Sequence, residues 1–122
     1  MTPRVVTKNV EITTSDTALY TALTDRPARL QSIVIVNKTA STSSDVTINF
    51  NRAAIGNDAA LTTKLAFEEV VAAKGRLTLA RDEFGEHGLR LNSGDSISFL
   101  ANDNSVYDCT MTVVEDGSRG TQ

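Results

Sequence analysis

Asp45-Val46-Thr47-Ile48-Asn49-Phe50-Asn51, residues 45–51, sets an apolar side chain at every second position with a polar one between. Successive side chains of a strand point to opposite faces. The segment therefore reads as a half-buried strand, with Val46, Ile48 and Phe50 facing one way and Thr47, Asn49 and Asn51 the other. Working outward, the same period returns in Ile97, Phe99 and Ala101, and in Tyr107, Cys109, Met111 and Val113 against Asp108, Thr110 and Thr112. Leu77 and Leu79 bracket Thr78, and Leu89 and Leu91 bracket Arg90. Ile33-Val34-Ile35-Val36 is a continuous β-branched run instead, which predicts a strand covered on both faces. A partner subunit is one way to cover the second face.

The breaks between these runs carry turn chemistry. Asp25-Arg26-Pro27, the Ser/Thr-rich stretch 37–45, Gly56-Asn57-Asp58, Ser93-Gly94-Asp95 and Asn102-Asp103-Asn104-Ser105 each separate two apolar segments. Counting the runs gives about eight or nine short strands, which predicts an all-β fold, an antiparallel β-sandwich of jelly-roll-like type. One segment keeps two readings open. Phe67, Val70 and Val71 stand at helical spacing, so 65–73 reads either as a short helix or as a strand ending at Lys74-Gly75. The polar N-terminal stretch, residues 1–16, reads as an arm that pairs with a neighbour. Residues 17–116 make the sandwich, and the Gly/Ser-containing end, 117–122, reads as a flexible tail.

Chemistry is sparse. The chain of 122 residues has one histidine and one cysteine, which excludes an intrachain disulfide and a structural zinc cluster. His87 lies between glycines, and no serine stands in a G-x-S-x-G context that could make it a nucleophile. Cys109 reads as a small buried hydrophobe. Phosphate-cradling glycine motifs are absent. Asn102-Asp103-Asn104 lacks the spacing of a calcium loop and reads as a turn. The net charge of −3 and the scattered Lys and Arg argue against a nucleic-acid surface. No apolar run approaches the roughly 18 residues of a membrane span. There is no Trp, and Tyr20 and Tyr107 sit in alternating strands, which gives sugar-stacking platforms little support. The reading is a non-enzymatic protein with no catalytic, cofactor or metal residues. Its useful surface is its outside. Candidate interface residues are Val5, Val6, Val10 and Ile12 in the arm, with Ile33 and Ile35 in the β-branched run.

The run Ala18-Leu19-Tyr20-Thr21-Ala22-Leu23 is followed by Ala28-Arg29-Leu30-Gln31-Ser32-Ile33-Val34-Ile35-Val36-Asn37 and then by Asp45-Val46-Thr47-Ile48-Asn49-Phe50. Leu89-Arg90-Leu91-Asn92-Ser93-Gly94-Asp95-Ser96-Ile97-Ser98 and a closing Thr110-Met111-Thr112-Val113-Val114-Glu115 come later. This arrangement, over residues 17–115, resembles small virion proteins of tailed bacteriophages: capsid decoration (cement) proteins, head fibres and tail-associated β-sandwiches. The resemblance implies a jelly-roll-like homotrimer that binds the major capsid protein or other virion proteins. Its location would be the virion, after synthesis in the host cytoplasm. It carries over no catalytic residue. A tail, baseplate or glycan-binding host-attachment module is the alternative that the resemblance leaves.

Overall fold

The computed structural model describes residues 3–24 and 26–116. Nine strands run in chain order: β1 Arg4–Glu11, β2 Thr17–Thr21, β3 Ala28–Asn37, β4 Ser44–Arg52, β5 Leu61–Val71, β6 Arg76–Leu79, β7 Leu89–Leu91, β8 Ser96–Ala101 and β9 Tyr107–Glu115. One short helix, α1 (Arg81–Phe84), stands between β6 and β7. All strand pairs are antiparallel. They form two sheets, one in the order β1-β9-β3-β6 with β7 also on β3, the other in the order β2-β8-β4-β5. First pairs with last, second with penultimate, and the middle strands close the nest. This is jelly-roll topology, the all-β sandwich that the alternation predicts.

The core lies between the sheets and is filled by the inward residues of each run. Val46 and Ile48 from β4, Ile97, Phe99 and Ala101 from β8, and Tyr107, Cys109, Met111 and Val113 from β9 are all buried. Phe50 only packs against this cluster and stays half-buried, because it sits nearer the end of β4. In β3 the run Ile33–Val36 alternates after all. Ile33 and Ile35 are fully buried, Val34 is half-buried, and Val36 is exposed on the outer face. Ala28 and Leu30 also face inward although they fall on the opposite parity. A bulge at Gln31, between the Leu30–Val113 and Ser32–Thr112 pairs, shifts the phase by one residue.

The 65–73 segment resolves as strand. β5 has eleven residues facing the nine of β4. The two surplus residues are taken up by register shifts on either side of Ile48. At the second shift the Glu68 backbone turns left-handed, with φ of 49°, and its N–H donates to the Thr47 hydroxyl at 3.0 Å. Two bulges break the period of two, and this is what put Phe67, Val70 and Val71 at helical spacing in a strand. The one helical turn lies elsewhere. α1 is opened by the Ala80 N–H donating to the Glu83 carboxylate at 2.7 Å, and it ends at Gly85.

Residues 4–11, read as part of an arm, are β1, paired with β9 of the same chain along its whole length, and Ile12 beyond it is 2% exposed in the core. The 1–16 boundary thus cuts through the sandwich. The tail at 117–122 lies outside the described residues.

Polar side chains fix the connections. The Asp95 carboxylate, buried in the Ser93-Gly94-Asp95 turn, accepts from the N–H groups of Ala53 at 2.8 Å and Asn92 at 2.9 Å. The buried Asn37 amide donates to the carbonyls of Thr42 and Val71, and its oxygen accepts from the Thr39 N–H and hydroxyl, which pins the loop after β3. Gly88 has φ of +83°, and a Cβ there would sit 2.6 Å from the Leu30 carbonyl, so only glycine fits the approach of this turn to β3.

Two tyrosines tie the sheets together in opposite directions. Tyr107 of β9 donates across the core to the Val71 carbonyl at 3.3 Å. Tyr20 of β2 donates to the buried carboxylate of Glu115 at 2.7 Å, and the Arg4 guanidinium donates to the same carboxylate at 2.9 Å. Burial alone would raise the Glu115 carboxyl, but the Tyr20 hydroxyl and Arg4 outweigh it and hold the group below its usual range. Burial and the neighbouring carboxylate push the Tyr20 phenol above its own usual range.

Two measurements test this packing. Phe99→Ala should destabilise by about 3–5 kcal/mol in denaturant unfolding, and Phe50→Ala by less, as a half-buried ring requires. A loss below about 1 kcal/mol for Phe99 would mean that the faces are misassigned. A depressed folded-state carboxyl stabilises above the unfolded value and loses that contribution as pH falls through the folded one. Wild-type stability should therefore drop below about pH 4.5, the ordinary value for such a carboxyl. Glu115→Gln should be less stable at neutral pH, and the gap between the two proteins should close on acidification.

Candidate functional site

With the core defined, the apolar side chains left outside it mark where the molecule can bind. One group follows the rim where β1 and β2 are the free edges of the two sheets. β1 alternates about its pairing with β9, so Val6 and Val10 turn inward opposite Val113 and Cys109, while Val5 turns outward opposite Val114. Val5 is 66% exposed; Val6 and Val10 are half-buried. Between the two edges lies an apolar hollow of about 70 Å³, lined by Val10, Ile12, Leu19 and Phe99. Beside it, Arg4, Val6, Lys8, Tyr20 and Leu23 border an open recess of about 270 Å³. Val6 and Val10 thus come together on one rim, joined by Leu23, which the sequence reading did not single out, while Val5 stands on the outer face of β1.

The other candidate interface residues do not reach this surface. Ile12, Ile33 and Ile35 are buried inside the sandwich. The reason for Ile33 and Ile35 is the single-sided alternation of β3, which leaves Val34 and Val36 as the outward members of the β-branched run. Further exposed apolar residues are spread along β5, at Leu61 where it begins and at Phe67 and Val70 towards its end. They were hidden in the sequence because the bulges scramble the alternation there.

His87 is exposed in the turn after α1, where its backbone carbonyl accepts from the Gln31 side chain at 3.3 Å. Among the described residues, no group of three or more His, Cys, Asp or Glu side chains comes together as a metal site. In the Asn102–Ser105 turn the Asn104 side-chain oxygen accepts from the Thr14 N–H at 2.9 Å, joining two loops. Tyr20 and Tyr107 are buried cross-ties and offer no platform to a sugar. Cys109 faces the core at 1% exposure, and burial pushes its thiol up to about 12.

No protein-family model matches this chain, and no curated protein does. Solved structures are similar to it. A chain in the acid-stable capsid of Helicobacter pylori bacteriophage KHP30 aligns with a TM-score of 0.51 at 9% identity, over 94% of this chain and 87% of that one. A chain of Bacillus endospore appendages, described as disulfide-linked pili, aligns with a TM-score of 0.49 at 17% identity, over 95% of this chain and 88% of that one. A chain of the T13 particle of infectious bursal disease virus aligns with a TM-score of 0.49 at 10% identity, over 93% of this chain and 31% of that one. At these identities the likeness describes architecture.

A thiol held neutral in the core reacts only when the core opens. Iodoacetamide at pH 8 should leave native Cys109 unmodified by mass spectrometry over a time that fully alkylates the denatured chain. Rapid native labelling would place the thiol outside the core.

Proposed function

We propose that this chain is a non-enzymatic virion structural protein, a capsid decoration protein that binds and stabilises the capsid exterior as a homotrimer. The observation that carries the reading is the β1/β2 rim. Val6, Val10 and Leu23 line the rim between two adjacent free sheet edges, Val5 stands exposed on the outer face of β1, and a small apolar hollow beside the rim can receive one side chain of a neighbour. An interface draws its energy from a few apolar anchors seated in such hollows. Free edges need either a partner or a deterrent. The deterrents on the rim are the charged residues of β1, with Lys8 at an inward-phase position opposite Met111 and Arg4 tied to Glu115.

The fold agrees with this reading, since jelly rolls recur in capsid proteins, and the capsid chain of the KHP30 phage shares the architecture. The resemblance of residues 17–115 to small virion proteins of tailed phages points the same way. The polar residues are largely occupied in holding loops and sheets, as with Asp95, Asn37 and Glu115. A particle-bound protein gains affinity from many weak contacts repeated by symmetry, and a catalytic cleft adds nothing to that. The buried Cys109 further favours noncovalent over disulfide-linked assembly, because this is the chain's one cysteine.

The purified protein should run as a trimer in light scattering and should bind capsids produced without it. Val5→Asp with Leu23→Asp, both at exposed positions, should leave the circular-dichroism spectrum unchanged, convert the trimer to monomer and weaken capsid binding at least about tenfold. A monomeric wild type that ignores capsids overturns the reading. Binding to purified tails in place of capsids moves the protein to a tail or baseplate position.

A further inference from the structure

We propose that the outer face of the β2-β8-β4-β5 sheet carries a saccharide-binding groove whose platform is Phe67. The bulge in β5 sets two residues, Phe67 and Glu68, opposite the single residue Thr47 of β4, between the Ile48–Ala66 and Val46–Glu69 pairs. Thr47 faces outward, so Phe67 is turned out over the sheet and is 63% exposed. A bulge of this kind re-aims a side chain. Here it is held by the Thr47 hydroxyl accepting from the Glu68 N–H, at a left-handed backbone position that a residue other than glycine seldom takes.

The re-aimed ring borders an open groove of about 410 Å³ that also meets Thr14, Asp45, Lys64, Glu68 and Asn102. Lys64 is fixed there. Its ammonium donates to the Asn49 side-chain oxygen at 2.9 Å and lies 5.8 Å from the centre of the Phe67 ring. The carboxylates of Asp45 and Glu68 and the amide of Asn102 carry no side-chain hydrogen bond to another described residue, and all three residues line the groove. One aromatic face among carboxylates, an amide and an ammonium matches a pyranose ring. Its C–H face packs on the aromatic, and its hydroxyls donate to carboxylates and accept from N–H groups. An apolar strand or helix of a protein partner would leave those charges without partners. This assignment is independent of the β1/β2 rim.

The test uses the full chain and a panel of methyl pyranosides of glucose, galactose, N-acetylglucosamine and rhamnose, read by amide chemical shifts, together with a glycan array. Saturable shifts at Phe67, Glu68 and Asn102 with at least one pyranoside are the expected result. Phe67→Ala should weaken that binding at least about tenfold without moving the melting temperature, and Phe67→Trp should keep it. Asp45→Asn, a second variant with little steric change, should weaken it as well. The proposal is overturned if no pyranoside and no arrayed glycan binds. Binding that survives both Phe67→Ala and Asp45→Asn also overturns it. So does a Phe67-dependent capture of capsids with no sugar bound, which would assign the groove to a protein partner.

Discussion

The sandwich depends on the position of β9, which pairs along one side with β1 and along the other with β3. Every second residue of β9 must enter the core, and Tyr107, Cys109, Met111, Val113 and Glu115 do. That one phase fixes the others. It sends Val6 and Val10 of β1 inward, and it forces β3 to bulge at Gln31 so that Leu30 and Ile33 can both face the core. A slip by one residue would exchange the whole set for Asp108, Thr110 and Thr112, so the register is strongly specified. Glu115 is the informative exception: a carboxylate at an inward position, tolerated because Tyr20 reaches it from the opposite sheet and Arg4 from the neighbouring strand.

Much of this was legible in the sequence, because a period of two needs no tertiary knowledge to be seen. The strands at 45–50, 96–101 and 107–113 and the turn at Ser93-Gly94-Asp95 follow from residue type alone. Bulges were not legible. Each adds one residue to one strand, and the evidence for it lies in the partner strand, far away in sequence. Valines at the outward positions 34 and 36 made β3 look apolar on both faces, which brought Ile33 and Ile35 forward as surface residues although they point into the core. The two surplus residues of β5 imitated a helix and concealed Phe67. The N-terminal stretch looked like an arm because an edge strand with one buried flank keeps polar residues at most positions. Its attachment is visible only through β9, about a hundred residues later in the chain.

The candidate rim was partly legible for the same reason. Val5, Val6 and Val10 are conspicuous in a polar stretch, whereas Leu23 joins the last two only through the fold. The exposed surface divides into an apolar rim at β1 and β2 and a mixed, aromatic-centred groove on β5 and β4. The first has the composition of a subunit contact, the second that of a small-molecule contact. The rim lies at β1 and β2, and the groove centres on β5 and β4 and reaches Asn102 after β8 and Thr14 before β2.

Pairing the first strand with the last also has a consequence for biosynthesis. β1 leaves the ribosome before the other described strands, yet among the described residues its sheet partner is β9, and the Arg4–Glu115 contact spans 111 positions. Until β9 emerges, β1 has no ladder to join and β3 lacks one of its two flanks. The first sheet therefore closes after translation of nearly the whole chain, as a late, long-range step. A nascent molecule stalled before residue 107 would present unpaired apolar strands to its surroundings, which makes the closing strand the point where yield of soluble protein is decided.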